Sequence, residues 1–420
     1  MQKKKNYYLS ENIKLLKIHS IWILSNFDNQ SVIGLDEQGV TFWKQLENGN
    51  VNKKDIDNNE ELYNALFELG FLTQNKSNIN KRELRITSAY VHLLNRCNLN
   101  CVGCYSMNDE RNIESDASAD KWKLAFERLA LAGVKSVVIS GGEPLLRKDI
   151  IEILQYAKTV AKIENLSLIT NGTVDFPFEK LKGYVDAIAV SVDGYSKMSP
   201  TFIRDEGIFE KIIKTVSLIR DIGIEVCIVP TLHKKNYNTM KLYDKLAEEL
   251  QVAISFSIFS VPNNEVFREY ILDDVALCKM AQDIVTLNAE VEDITTAGEG
   301  ICAMKSCGLG QDMISIDSKG NIYPCHILHD ENLLLGNIFD NPLKAENFNQ
   351  TVLNMCRQAN VDNIKGCKIC EYKYICGGGC RGRAYLQKKN LLEKDSYCKL
   401  FYKFHEFEMQ TIQQGLINEK

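Results

Sequence analysis

The sequence predicts an α/β protein built on a parallel sheet, with a small α+β unit before it and a cysteine-rich region after it. Three observations carry that expectation. Strand-like and helix-like runs alternate from residue 86 to residue 287, the signature of βα units and a parallel sheet. A polar stretch at 75–85, Asn75-Lys-Ser-Asn-Ile-Asn-Lys-Arg and onward, separates this region from a shorter pattern of strands and helices. Twelve of the fourteen cysteines fall at 97–104 and 302–398.

With 45% hydrophobic and 25% charged residues, 420 residues suit a globular chain of two or three domains. The net charge of −5 argues against a surface that seeks nucleic acid generally. Lys3-Lys-Lys5 is followed by no apolar signal core, and no apolar run reaches the roughly 18–20 residues of a membrane span. The expectation is a cytoplasmic protein with no membrane and no nucleic-acid partner. In a reducing compartment, clustered thiols point to metal or redox chemistry rather than disulfides.

Taken in order, 12–18, 20–26 and 30–35 read as short strands, and 39–46 and 60–69 as helices. The strands of the central region are expected at 86–94, 135–140, 165–170, 187–192, 225–230 and 253–259. The helices are expected at 119–132, 149–161, 178–182, 208–222, 239–250 and 273–287. A terminal helix is expected from about 404. Cys227 and Cys278 lie in apolar runs and read as small hydrophobes.

Sites in parallel barrels gather at the C-terminal ends of strands, and the chemistry-bearing motifs fall there. Cys97, Cys101 and Cys104 follow the first strand as CX3CX2C, a loop able to give three thiolates to one corner of an iron–sulfur cube. No fourth cysteine stands in this stretch, which leaves one iron open. Gly141-Gly142-Glu143-Pro144 follows the second strand, Asn171-Gly172 the third, Ser191-Val-Asp193-Gly194 the fourth, and Leu232-His233 the fifth. Arg204 comes ten residues after Gly194, and a guanidinium suits a carboxylate.

In these motifs the chain resembles the radical S-adenosylmethionine (SAM) enzymes over residues 86 to about 400. The resemblance implies a partial (β/α)6 barrel of the TIM type spanning 86–300. It implies a [4Fe–4S] cluster held by Cys97, Cys101 and Cys104, the catalytic centre, with SAM chelating the open iron. Gly141, Gly142, Glu143 and Pro144 are then expected at the methionine amine of SAM. Ser191 and Asp193 are expected at its carboxylate and ribose, with Arg204 at the carboxylate and Leu232 at adenine. Asn171 reads either as a rim amide or as a strand-ending turn. Where the family keeps an aromatic residue before the third cysteine, this chain has Gly103, followed by Tyr105.

Farther on, Cys307 and Cys325 form CX12GX4C, and Cys367, Cys370, Cys376 and Cys380 form CX2CX5CX3C, with Cys398 after a gap. This is similar to the SPASM extension, here 301–405, with a tail at 406–420. The resemblance implies two auxiliary clusters, three [4Fe–4S] clusters in all. Cys367, Cys370, Cys376 and Cys398 would hold the outer one. Cys307, Cys325 and Cys380 would hold the inner one, with Cys302 as its candidate fourth ligand. Cys356 fits neither pattern. A zinc ribbon is the rival reading, but it pairs two CX2C motifs at a different spacing.

The N-terminal unit, 1–80, is similar to the peptide-binding protein of pyrroloquinoline quinone biosynthesis (PqqD-like, winged-helix-like). That resemblance implies a leader-bearing ribosomal precursor peptide as partner, alongside an electron donor such as flavodoxin or ferredoxin. The expected activity is a peptide maturase installing an intramolecular crosslink, thioether first and carbon–carbon next. A side-chain oxidase like the anaerobic sulfatase maturases is the alternative; those carry an acid where this chain has His326. The other alternative is a non-catalytic iron–sulfur scaffold or electron carrier.

Overall fold

The computed structural model describes residues 7–75, 84–113, 115–287, 289–291 and 301–418. Lys3–Lys5, most of the 75–85 linker and the end of the expected barrel region lie outside these residues. Among the described residues no helix is long and apolar enough to cross a membrane.

The N-terminal unit holds β1 (Tyr8–Leu9), β2 (Ile13–Ile18), β3 (Ile21–Asn26), β4 (Val32–Leu35), α1 (Glu37–Asn48), α2 (Lys53–Asp57), α3 (Glu60–Glu68) and β5 (Leu72–Thr73). Strands β2, β3 and β4 form an antiparallel sheet in that order, and β1 pairs with β5. Asp36 starts α1 by accepting from the Gly39 N–H, and Gly49 ends it in the left-handed region, a cap that favours glycine. Leu24, Phe42, Trp43, Leu46, Leu66 and Phe71 close a core of its own. The short α2 and the β1–β5 pair carry too few periodic residues to be read from sequence.

The central sheet begins with β6 (Ser88–His92). It continues through α4 (Ala119–Leu131), β7 (Ser136–Ser140), α5 (Ile150–Thr159), β8 (Asn165–Thr170), β9 (Ala187–Val192), α6 (Phe209–Ile222), β10 (Glu225–Leu232) and α7 (Met240–Leu250). Two short strands, β11 (Ala253–Ile254) and β12 (Ser257–Ile258), replace the single strand expected at 253–259; both pair with β10. The helix expected at 178–182 is a 3₁₀ turn over Phe178–Leu181, too short for an α-helical stripe. Helix α8 (Asp274–Leu287) closes the series. Pairing from β6 to β11 is parallel throughout, the mixed α/β architecture expected of a partial barrel.

The barrel sheet does not end at β6. Strand β13 (Met313–Ile316), inside the cysteine-rich region, pairs parallel to β6, and β14 (Asn321–Tyr323) and β15 (Gly336–Asn337) extend it antiparallel. The region thereafter has α9 (Gln350–Gln358), α10 (Lys373–Cys376), α11 (Arg381–Lys388) and α12 (Cys398–Asn418). The terminal helix therefore starts at Cys398 rather than near 404, and runs through the expected boundary at 405. It packs against α8, with Tyr397, Leu400, Phe401 and Phe404 in one apolar cluster with Leu277 and Met280.

The N-terminal sheet rests on the cysteine-rich region. Ile18 and Ile23 bury against Tyr372, Ile375 and Met409, and Phe27 against Ala303, Val361, Ile364 and Tyr374. The Ala303 N–H donates to Gln30 O at 2.9 Å, and His19 Nε2 lies 2.6 Å from Tyr372 Oη.

Candidate active site

Strand periodicity decides what faces the barrel interior. Along β10, Val226, Ile228, Pro230 and Leu232 are buried while Cys227, Val229 and Thr231 are half-buried. Successive side chains point to opposite faces. Thr231 and Val229 line an interior cavity, as do Ser191 of β9, Ile169 of β8 and Tyr90 of β6. Leu232 has the opposite parity and is fully buried among Met240, Tyr243 and Phe256. It belongs to the core, which corrects the expectation that it meets adenine.

Backbone hydrogen bonds press the three-cysteine loop onto the turn after β7, and Tyr105 Oη reaches Ser140 Oγ of β7 itself. The Gly142 N–H donates to Leu94 O at 3.0 Å and the Glu143 N–H to Arg96 O at 2.8 Å. A Cβ on Gly142 would sit 2.7 Å from Asn95 O and closer still to the Arg96 carbonyl. Gly141 has φ +118, which L side chains rarely adopt. The two glycines thus let two loops approach one another, and both line the cavity.

Glu143 stands behind them, fully buried. Its carboxylate accepts from the Asn171 N–H at 2.7 Å, Thr170 Oγ1 at 2.9 Å and the Leu145 N–H at 3.1 Å. Burial nevertheless raises its pKa; an ammonium partner would favour the charged form. Asn171 ties this cluster to the cysteine loop: its Nδ2 donates to Asn98 Oδ1 at 2.9 Å and faces Cys97 Sγ at 3.9 Å.

Asp193 points elsewhere. Its Oδ2 accepts the N–H groups of Phe202, Ile203 and Arg204 at 2.8, 2.9 and 3.1 Å, and it does not line the cavity. The aspartate folds the segment that carries Arg204, and it stands outside the cavity lining from which a ribose contact is expected. Arg204 does line the cavity, with Nη1 3.7 Å from Cys101 Sγ.

Cys97, Cys101 and Cys104 share that cavity with Cys307, Cys325 and Cys380. Burial raises the Cys101 thiol. Burial also opposes ionisation of Cys104, but Ser106 and the Arg111 guanidinium outweigh it and leave its pKa below the ordinary value. Cys302 is half-buried and does not line the cavity, and Cys356 is buried beside Gly310. The outer four, Cys367, Cys370, Cys376 and Cys398, lie within electrostatic reach of one another. Three successive glycines, Gly377 to Gly379, all at positive φ, carry the chain from the outer set to Cys380. Among the described residues, no three His, Cys, Asp or Glu side chains converge on one metal ion. Thiols in CX3CX2C spacing that share a cavity without converging suit an iron–sulfur cube better than a single zinc ion.

Two wall residues escaped the sequence reading. Gly103, at φ +66, is covered by Phe259: a Cβ there would lie 2.5 Å from Phe259 Cε2 and 2.8 Å from Val261 Cγ1. Phe259 lines the cavity from the strand-β12 side, so an aromatic ring stands where the loop itself lacks one. Tyr90 stacks on His326 at 4.3 Å, and His326 meets Tyr105 edge-on at 5.4 Å. Behind them burial pushes His329 down to about 3 and His92 well below its ordinary value. This wall is therefore aromatic and backed by neutral imidazoles at physiological pH. Nothing in the local sequence signals these contacts, because Phe259, just after β12, and His326, in the turn after β14, are distant in the chain from the residues they meet. Phe259→Ala is expected to weaken SAM binding about tenfold, the scale of one lost aromatic contact, read by equilibrium dialysis, with iron content unchanged.

Residues 91–271 match the family model of the radical SAM superfamily, and residues 307–371 match SPASM, an iron–sulfur cluster-binding domain. A protein of Methanosarcina barkeri named AdoMet-dependent heme synthase is 30% identical over 332 residues, 72% of this chain and 93% of that one. The chain belongs to the radical SAM superfamily. A PqqA peptide cyclase of Rhodopseudomonas palustris is 25% identical over 74% of this radical SAM chain and 86% of its own. Streptococcus suis SuiB, solved bound to its precursor peptide SuiA, has a TM-score of 0.60 at 20% identity, covering 93% of this chain and 99% of that one. As a radical SAM enzyme with a SPASM region, the chain works with SAM and [4Fe–4S] clusters.

Proposed function

We propose that this radical SAM enzyme is a peptide maturase that crosslinks a ribosomally made precursor, thioether first and carbon–carbon second. The observation that carries the reading is the single cavity lined by two sets of three cysteines. Cys97, Cys101 and Cys104 would hold the SAM-binding cluster there. Cys307, Cys325 and Cys380, with Cys302 as candidate fourth ligand, would hold the inner auxiliary cluster, and Cys367, Cys370, Cys376 and Cys398 the outer one. Bound together, cluster and SAM supply a radical able to take hydrogen from an unactivated carbon.

The chain's own residues bind, orient and exclude. Glu143, held by three donors, offers a buried negative charge to the methionine ammonium. Arg204 offers a guanidinium to the carboxylate, and Ser191 a hydroxyl beside it. Gly141 and Gly142 bring the cluster loop against this anchor, and Phe259 covers the Gly103 side. Tyr90, Tyr105 and His326 form the wall that a substrate side chain meets between the two cysteine sets, and their rings keep water from it.

The N-terminal unit, about 1–80, is read as the leader-binding domain. Among the described residues strand β4 is paired only to β3, and a free edge can accept a peptide as an added strand. Tethering raises the local concentration of the core peptide. That SuiB aligns over 93% of this chain supports a shared layout. A low-potential carrier such as flavodoxin or ferredoxin would supply the electron.

A second reading follows from the 30% identical heme synthase: porphyrin side-chain chemistry. The cavity lining counts against it. Its two cations, Arg111 and Arg204, both face cysteine thiols, which leaves little for the carboxylates of a tetrapyrrole. Reconstituted enzyme with SAM, dithionite and the short peptide encoded beside its gene should yield peptide lighter by two hydrogens per crosslink. Deoxyadenosine release with an unchanged peptide, together with turnover of Fe-coproporphyrin III, would replace the first reading by the second.

A further inference from the structure

Arg111, seven residues beyond the CX3CX2C loop, belongs to no motif read above, yet its side chain returns into the loop. Its Nη1 lies 3.4 Å from Cys104 Sγ and 3.4 Å from Met107 Sδ. It also lies within electrostatic reach of Cys97. Its Nε is buried without a protein partner, and no carboxylate pairs with it among the described ion pairs. Two carboxylates near it in sequence are engaged elsewhere: Glu110 meets Lys319, and Asp116 takes Arg96. A half-buried guanidinium has thus been placed against two thiols that three-point cluster binding would ionise.

We infer that Arg111 is a positioning residue that raises the reduction potential of the cluster held by Cys97, Cys101 and Cys104; this rests on the cluster reading above. The step concerned is the uptake of one electron, with no proton, from a low-potential carrier. Each electron added makes the cluster more negative. A guanidinium stays protonated at every relevant pH, so its attraction for the reduced state exceeds that for the oxidised one. Hydrogen bonds to cluster sulfurs and local net charge are the protein's means of setting such potentials. Arg204 faces Cys101, but it is read as a SAM carboxylate anchor, so that bound SAM would offset its charge. Among the described ion pairs Arg111 has no such counter-charge, and it acts on the cluster alone.

The test compares full-length wild type, Arg111→Gln and Arg111→Lys, each reconstituted anaerobically and assayed for iron and sulfide. The EPR signal that responds to added SAM identifies the cluster, and its intensity is followed against solution potential. The glutamine variant, with full iron, is expected to show the reduced-to-oxidised ratio at a fixed potential lowered at least about tenfold, equal to 59 mV for one electron. The lysine variant is expected to recover part of that loss. An Arg111→Gln protein with full iron and an unmoved midpoint overturns the inference. So does loss of iron from the loop in both variants, which would make Arg111 a fold-holding residue only. If the wild type itself gives no SAM-responsive signal, the cluster reading falls first.

Discussion

Gly142→Ala is expected to reduce deoxyadenosine formation by at least about 100-fold while the chain remains folded. The added methyl would lie 2.7 Å from Asn95 O and 2.5 Å from Arg96 C, all backbone, so no rotamer change relieves it. The hydrogen bonds from Gly142 and Glu143 to Leu94 and Arg96 must lengthen, and the loop bearing Cys97 shifts away from Glu143 and Asn171. A displacement of about 1 Å in a reacting constellation costs roughly 100-fold in rate. The core beneath, Leu93, Ile139 and Trp122 among it, lies outside the overlap, so circular dichroism should be near wild type. Alanine at exposed Gly133, where a Cβ meets nothing within 4 Å, is the matched control and should leave turnover within about twofold despite its positive φ.

Asp395→Ala is expected to destabilise the cysteine-rich region by about 3–5 kcal/mol, the cost of removing one partner from a buried ion pair. Asp395 and Arg383 are essentially unexposed and meet through two bonds of 2.8 and 2.9 Å. The same carboxylate accepts the Cys380 N–H at 2.7 Å and the Tyr397 N–H at 2.9 Å. One residue thus pins an inner candidate ligand and the turn leading to Cys398. Burial alone would raise the Asp395 pKa, but Arg383 outweighs it and holds the carboxyl below its ordinary value. The pair's contribution is therefore complete above the unfolded carboxylate range, near pH 4, and is lost as pH falls through the depressed native value. Denaturant unfolding should show that acid dependence in the wild type and a reduced one in Asp395→Ala. Iron content should fall in the variant, the outer set losing it along with Cys380.

Much of this was legible in the chain because the relevant distances are short in sequence. Alternation of strands and helices gave the parallel sheet, and each motif falls at a strand end because that is where a parallel strand releases its backbone. Parity along β10 was also available: Val226, Ile228, Pro230 and Leu232 form one apolar row, which puts Leu232 in the core and Thr231 in the cavity. Asp193 was harder. It shares the inward parity of Ser191, but beyond the strand its carboxylate turns back to three amides ten residues on. The contacts of Phe259 with Gly103, and of Tyr90 with His326, join elements that periodicity treats as independent. So does the pairing of β13 with β6, which merges the cysteine-rich region with the barrel sheet. Helix α12 was read short because its first turn, around Cys398, carries a cysteine pattern that masks the helical stripe of Leu400, Phe401 and Phe404.

The leader-binding role proposed for the N-terminal unit is separable from the chemistry. Its sheet is anchored on the outer cysteine region through Ile18, Ile23 and Phe27, which fixes one face and leaves β4 as an edge. A proline placed at Gly34, whose N–H by antiparallel alternation faces away from β3, should weaken precursor binding without altering SAM cleavage in the absence of peptide.

The most direct measurement is EPR of the reduced, reconstituted enzyme before and after SAM, set beside a Cys97→Ala/Cys101→Ala/Cys104→Ala chain. The wild type should carry a signal that SAM reshapes, and the triple variant should lose that signal while keeping those that ignore SAM. A triple variant that still responds to SAM would place the open iron on other thiolates and contradict the site described here.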